Sequence, residues 1–139
     1  MSGFRRYADL RVGSRFPDQP ARYDVTAETV AGYRSIALGS PAVGGAAESD
    51  VAPPTLAAVY IRPAQNALNG PPGGIHAKQQ FDFFAAVKIG DTLETQLEVR
   101  ELYERNDRRY VVSETVTRNQ LGVVVCKGLI TQVWGRESD

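Results

Sequence analysis

The sequence predicts an α+β domain in which an antiparallel sheet wraps around one buried helix, and three observations support this. A stretch opening at Pro54 is apolar on nearly all sides, which is typical of a helix with little solvent contact. From residue 75 onward, apolar runs alternate with turn residues, a pattern typical of strands. The chain has 139 residues, enough for a single domain with a real core. We therefore expect one domain over residues 1–139.

The first half of the chain is predicted to contain one strand and one helix before the buried one. Residues 14–25 include two prolines, which favours an irregular or edge strand. Thr26 can cap the helix that follows, which we expect over residues 27–38 from the helical spacing of its apolar residues. Gly39 is suited to end that helix, because glycine readily adopts the left-handed conformation found there.

A long run of small residues, 39–52, separates this helix from the buried one. A loop of that length inside a compact domain is usually functional or disordered. Pro54 suits the first turn of the buried helix, whereas Pro63 removes a hydrogen bond inside it, so we expect a kink or break there. The Asn-Gly-Pro-Pro-Gly-Gly sequence at 69–74 ends the helical segment.

The second half is predicted to form four strands in an antiparallel meander, the first of them over residues 75–84. Apolar and polar residues alternate over 93–99 and the phase then slips, which indicates a bulge near Arg100. The Asn-Asp pair at 106–107 is typical of a hairpin turn. Residues 123–134 are apolar on both faces, as expected of a strand inside a sheet.

Composition excludes several classes of protein. The 16 basic and 16 acidic residues cancel, which argues against a nucleic-acid-binding protein. One cysteine rules out an internal disulfide framework, and one histidine rules out a histidine-cluster metal site. No apolar run approaches the ~20 residues that span a bilayer, and the N-terminus lacks the apolar region of a secretory signal. We expect a cytoplasmic protein without membrane contact.

Three stretches resemble the MaoC-like dehydratase/hydratase group of the hotdog fold. They are VAPPTL at 51–56, GIHAKQQFDFF at 74–84 followed by VKIGDTL at 87–93, and TRNQLGVVV at 117–125. The second is similar to the His-x-x-Gln-x-Phe and Gly-Asp-Thr-Leu run of the N-terminal, FAS1-like dehydratase half. The resemblance implies a hotdog fold and the reversible addition of water to a 2-enoyl thioester. Coenzyme A or acyl carrier protein would carry the substrate, and no other cofactor is implied.

The positions that carry the family's chemistry differ here. Active members have an Asp, then Asn-Pro, then a His soon after the first helix, whereas this chain has Ser40 in place of the Asp and no following His. Pro53 and Pro54 replace a His-Gly step and have no N–H to donate, so Thr55 and Leu56 supply the remaining amides. The resemblance implies no matched catalytic residue. It implies substrate contacts from Ser40, Pro54, Thr55, Leu56, Gly74 and His76.

The first hypothesis is therefore a subunit of an acyl-thioester hydratase or dehydratase that relies on a catalytic partner hotdog chain. One alternative is a self-sufficient homodimeric hydratase or thioesterase, for which His76 and Asp50 are the weak catalytic candidates. The other is a non-enzymatic module that binds acyl-CoA. His76 also fits a structural role in a strand. In each case we expect a homodimer or heterodimer, because pairing with a second chain covers the exposed edge strand and apolar surface of a hotdog sheet.

Three arginines cluster around the predicted hairpin turn at 106–107, namely Arg105, Arg108 and Arg109. Guanidinium groups bind phosphate well, so this cluster is a candidate contact for the phosphates of coenzyme A. Acidic neighbours at Glu104 and Asp107 favour the alternative of an ordinary solvated hairpin tip.

Overall fold

The computed structural model describes residues 3–37 and 50–137 of the chain. The strands are β1 Arg15–Asp24, β2 Ile75–Phe83, β3 Thr92–Arg105, β4 Arg108–Arg118 and β5 Val124–Val133. The helices are α1 Ala27–Ala37, α2 Ala57–Tyr60 and α3 Arg62–Asn66, and short 3-10 turns cover Tyr7–Asp9 and Pro54–Leu56. None of the helices in these ranges is long and apolar enough to cross a membrane.

All five strands form one antiparallel sheet in the order β1-β3-β4-β5-β2. The predicted meander is right for β3, β4 and β5 but wrong for β2, which pairs with β5 at the far edge. The segment 84–91 makes this crossover possible, since eight residues reach up to about 28 Å and three strand spacings need only about 14 Å. This pairing places β5 between β4 and β2, so the backbone N–H and C=O groups at both of its edges have hydrogen-bond partners.

The helical segment formed by the 3-10 turn at Pro54, α2 and α3 packs on one face of the sheet. Its first part contributes Leu56, Tyr60 and Ile61 to a buried cluster with residues of β3 and β5. Its second part joins another buried cluster, which includes Leu97, Val111 and Trp134. The predicted break is confirmed, and it falls at Ile61, between α2 and α3. Pro63 has no N–H to donate to the carbonyl of Val59, so the helix cannot run through regularly.

Local predictions from turn and cap residues are confirmed where the structure describes them. The Thr29 N–H donates to Thr26 Oγ1 at 3.1 Å, so Thr26 caps α1. The β3–β4 register shifts between Val99 and Glu101, which is the predicted bulge. Asn106 and Asp107 have φ angles of 54° and 62°, as a two-residue hairpin requires. Gly39, the predicted helix terminator, lies outside the described residues.

The inner face of β4 carries two buried hydroxyls without a hydrogen-bond partner among the described residues, those of Ser113 and Thr115. By contrast, Thr95 Oγ1 lies 2.8 Å from Thr117 Oγ1. Thr115→Val replaces an unpaired hydroxyl with a methyl group of similar size, so we expect the free energy of unfolding to rise by about 1 kcal/mol. Urea denaturation at equilibrium measures this change.

Thr95→Val is the matched control, because it breaks a hydrogen bond and leaves the Thr117 hydroxyl buried alone. We expect it to lower the free energy of unfolding by about 1–3 kcal/mol. A loss of stability in Thr115→Val equal to that in Thr95→Val would contradict the interpretation of the unpaired hydroxyl.

Candidate functional site

An apolar pocket of about 230 Å³ lies at the first turn of the central helical segment. Residues 51–54, which lead into the helix, form one wall, and Tyr60 of α2 forms another. Phe83 at the end of β2 and the following residues 85–87 close the third side. The crossover after β2 therefore places Phe83 beside the start of the helix. The lining and volume suit an apolar chain rather than a polar ligand.

The only polar side-chain group among the described lining residues is the hydroxyl of Tyr60. Burial raises the pKa of Tyr60 above its ordinary value, and the neighbouring Cys126 raises it further. Burial also raises the pKa of the Cys126 thiol. Both groups are therefore uncharged at neutral pH, and neither serves as a base. The described ranges also contain no group of three or more His, Cys, Asp or Glu residues arranged for a metal ion.

The residues predicted at the helix start have distinct surroundings. Pro54 lines the pocket. The hydroxyl of Thr55 is 2.6 Å from the hydroxyl of Tyr33, which ties α1 to the first turn. The N–H of Leu56 donates to the Pro53 carbonyl at 2.9 Å, so it is not available to a ligand. The N–H of Thr55 donates to no acceptor within residues 3–37 and 50–137, and it is the one predicted oxyanion donor that remains.

The other predicted site residues lie elsewhere. His76 is at the start of β2, opposite Gln132 of β5. Phe83 lies seven residues further along β2, at the pocket, a separation of roughly 23 Å at about 3.3 Å per residue. Gly74 sits at the His76 end, where an added Cβ would lie 3.0 Å from the Val133 carbonyl oxygen.

Asp50 is exposed and directly precedes the pocket wall, and its carbonyl accepts from the Ile89 N–H at 2.7 Å. Within one chain, Asp50 and His76 therefore do not converge, because they lie near opposite ends of β2. Ser40, the residue in the family's Asp position, lies outside the described residues.

Sequence reasoning missed Tyr60, Phe83 and the residues at 85–87 as parts of the site. The apolar run around Phe83 was visible in the sequence. Its position in the same pocket as Pro54 depends on β2 occupying the far edge beside β5, and strand order leaves no local signal in the sequence.

A five-stranded antiparallel sheet packed on a central helical segment defines a protein of the hotdog fold class. The R-hydratase PhaJ1 from Pseudomonas aeruginosa is similar, with a TM-score of 0.75 and 25% identity over 94% of this chain and 86% of that one. A MaoC-like dehydratase from Rhodospirillum rubrum has a TM-score of 0.70 and 23% identity, over 94% of this chain and 97% of that one. The truncated HadBC (3R-hydroxyacyl-ACP dehydratase) complex from Mycobacterium tuberculosis has a TM-score of 0.71 and 22% identity, over 88% and 96%.

The family described as "FAS1-like, dehydratase domain region" matches residues 11–128. The chain belongs to this family, which confirms the resemblance stated from the sequence motifs. None of the curated proteins matches the chain.

Proposed function

We propose that this protein is a subunit of an acyl-thioester hydratase or dehydratase and that a second hotdog chain supplies the catalytic pair. The observation that carries the proposal is the pocket at the helix start, where the described lining residues include no carboxylate and no imidazole. Hydration of a 2-enoyl thioester needs a base to deprotonate water and an acid to protonate C2. The pocket supports binding of the acyl chain, and the acid–base chemistry requires groups from elsewhere.

The donors available to the thioester oxygen lead to the same conclusion. Pro53 and Pro54 have no N–H, and the Leu56 N–H is already engaged with the Pro53 carbonyl. Among the described residues at the helix start, Thr55 alone retains an amide that can meet the developing negative charge. Removing one oxyanion donor typically costs about 10²–10³ in kcat. We therefore expect the chain by itself to be a very poor catalyst even if a water is positioned in the pocket.

The β2 edge supports the need for a partner. Of the two sheet edges, β1 contains Pro17 and Pro20, whereas β2 contains no proline and is exposed at eight of its nine positions. Phe83 and Phe84 are 47% and 59% exposed beside this edge. An unprotected edge strand flanked by apolar side chains is the kind of surface that another strand covers. HadBC, which is similar in fold, is itself a complex.

The exposed β2 edge, with His76 at its start and the pocket residue Phe83 at its end, favours a homodimeric enzyme as the second candidate. Antiparallel pairing of β2 with β2 of a second copy brings the start of one strand toward the end of the other. His76 of the second copy would then approach the pocket at Phe83. The homodimer thus offers an imidazole to the pocket that a single chain lacks, and His76→Ala separates the two candidates.

Hydration of a trans-2-enoyl-CoA by the purified chain, alone and mixed with a hotdog chain co-purified from the source cell, tests the proposal. We expect no turnover above background for the chain alone and at least a 10³-fold increase with the partner. Robust turnover by the chain alone would refute partner dependence.

If the chain alone is active, His76→Ala should abolish that activity in the homodimer, with Gln19→Ala on the opposite edge strand, β1, as the control. Binding of the acyl-CoA without turnover in any pairing would instead identify a non-enzymatic binding module. A cytoplasmic location stays a prediction.

A further inference from the structure

A cleft of about 560 Å³ lies at the other end of β2 from the apolar pocket. The start of β2, the β3–β4 hairpin and residues near both chain termini line it. Two acidic residues contribute to the lining, Asp107 and Glu137. Four arginines also contribute: Arg6, Arg108, Arg109 and Arg136. The lining residues therefore carry an excess of two positive charges, and Glu104, which pairs with Arg109 at 3.5 Å from outside the lining, reduces the local excess to one.

Glu137 is a structural part of the cleft rather than a free negative charge. Its side chain is only 17% exposed, and Oε2 accepts from the Tyr7 N–H at 2.6 Å. Arg109 Nη1 lies 3.5 Å from Oε2, and Arg6 Nε lies 3.7 Å from Oε1. The Arg109 guanidinium also sits 5.4 Å from the centre of the Tyr7 ring. Glu137 and Tyr7 thus hold two of the four guanidinium groups in place.

The side chains of the other two arginines extend into solvent. Arg108 and Arg136 are exposed, and neither makes an ion pair or a side-chain hydrogen bond with any residue in the described part of the chain. An arginine presents a planar array of N–H donors that matches phosphate oxygens. Two fixed and two available guanidinium groups around one cleft form a site suited to a ligand with more than one negative charge.

We propose that this cleft binds the phosphate groups of the acyl carrier, either the nucleotide phosphates of coenzyme A or the phosphodiester of a carrier-protein arm. The identity of the ligand rests on the proposed function, whereas the anion site rests on the arginines themselves. The groove that contains His76 shares Gly73, Ile75, Trp134 and Gly135 with this cleft. Antiparallel pairing through β2 would place the cleft of one chain toward the apolar pocket of the other.

Isothermal titration of the purified chain with adenosine 3′,5′-bisphosphate tests the site without an acyl group or turnover. Arg108→Gln and Arg136→Gln should each weaken binding at least fivefold, and the double variant at least tenfold. Arg62→Gln is the matched control, since Arg62 is an exposed arginine of α3 outside the cleft and its replacement removes the same charge. We expect it to change the affinity less than twofold.

Pantetheine 4′-phosphate distinguishes the two sources. If the Arg108→Gln and Arg136→Gln variants weaken binding of the bisphosphate, the ligand is coenzyme A. If they weaken binding of pantetheine 4′-phosphate and the bisphosphate does not bind, the ligand is a carrier-protein arm. Binding of neither at millimolar concentration, or equal weakening by Arg62→Gln and Arg108→Gln, overturns the proposal. Failure of hydration with every partner would refute the proposed function and leave the binding result standing.

Discussion

Ile61→Ala is expected to lower the free energy of unfolding by about 2–5 kcal/mol. The Ile61 side chain is 0% exposed and lies at the junction of α2 and α3, in the cluster that joins the helical segment to the sheet. Truncation removes buried methyl and methylene groups and leaves a cavity, because the break at this point is already fixed by Pro63 and the two short helices have little freedom to close the space. Guanidinium denaturation at equilibrium measures the loss.

Ile36→Ala is the control for this prediction. Ile36 lies in α1 and is 89% exposed, so the same truncation should change the free energy of unfolding by less than about 0.5 kcal/mol. Similar losses for the two variants would contradict the view that the sheet and the helical segment share one tightly packed interface at Ile61.

Gly135→Ala is expected to lower the free energy of unfolding by about 1–3 kcal/mol or more. A Cβ at this position would collide with the carbonyl oxygens of both Pro71 and Pro72. These are backbone atoms and cannot turn aside as a flexible side chain can, so the turn after the helical segment would have to move. Thermal unfolding followed by circular dichroism, together with denaturant titration, measures the effect.

Gly32→Ala is the control, because it adds the same methyl group at a position with no neighbouring atoms to obstruct it. Gly32 lies inside α1, and a Cβ there would meet nothing within 4 Å. Alanine favours a helix interior over glycine by about 0.8–1.0 kcal/mol, so this variant should be more stable than the wild type. If Gly135→Ala is as stable as the wild type, the close approach of residues 71–72 to Gly135 is not a constraint on the fold.

The elements that depend on local chemistry were predictable from the sequence. Thr26 as a helix cap, the break caused by Pro63, the bulge at Arg100 and the hairpin at 106–107 each follow from a steric or hydrogen-bonding preference of neighbouring residues. The motifs also indicated the family, and the match over residues 11–128 confirms it.

The candidate site was predictable only in part. Pro54 was assigned to the substrate region and does line the apolar pocket. His76 was assigned to the same region through the motif at 74–84, but it lies at the start of β2, whereas Phe83 of that motif lines the pocket at the other end. A motif records sequence order, and an extended strand separates its two ends by roughly 3.3 Å for every residue. Residues of one motif can therefore belong to two different clefts.

The sequence by itself determined the α+β class, the turns and caps, and the buried helical segment. Only the tertiary structure decided that β2 pairs with β5, that Phe83 and Pro54 line one pocket, and that Arg6 and Arg136 join the hairpin arginines around one cleft. The physical reason is that local preferences act over a few residues. Strand order and cleft composition depend instead on which distant segments cover one another's apolar surface.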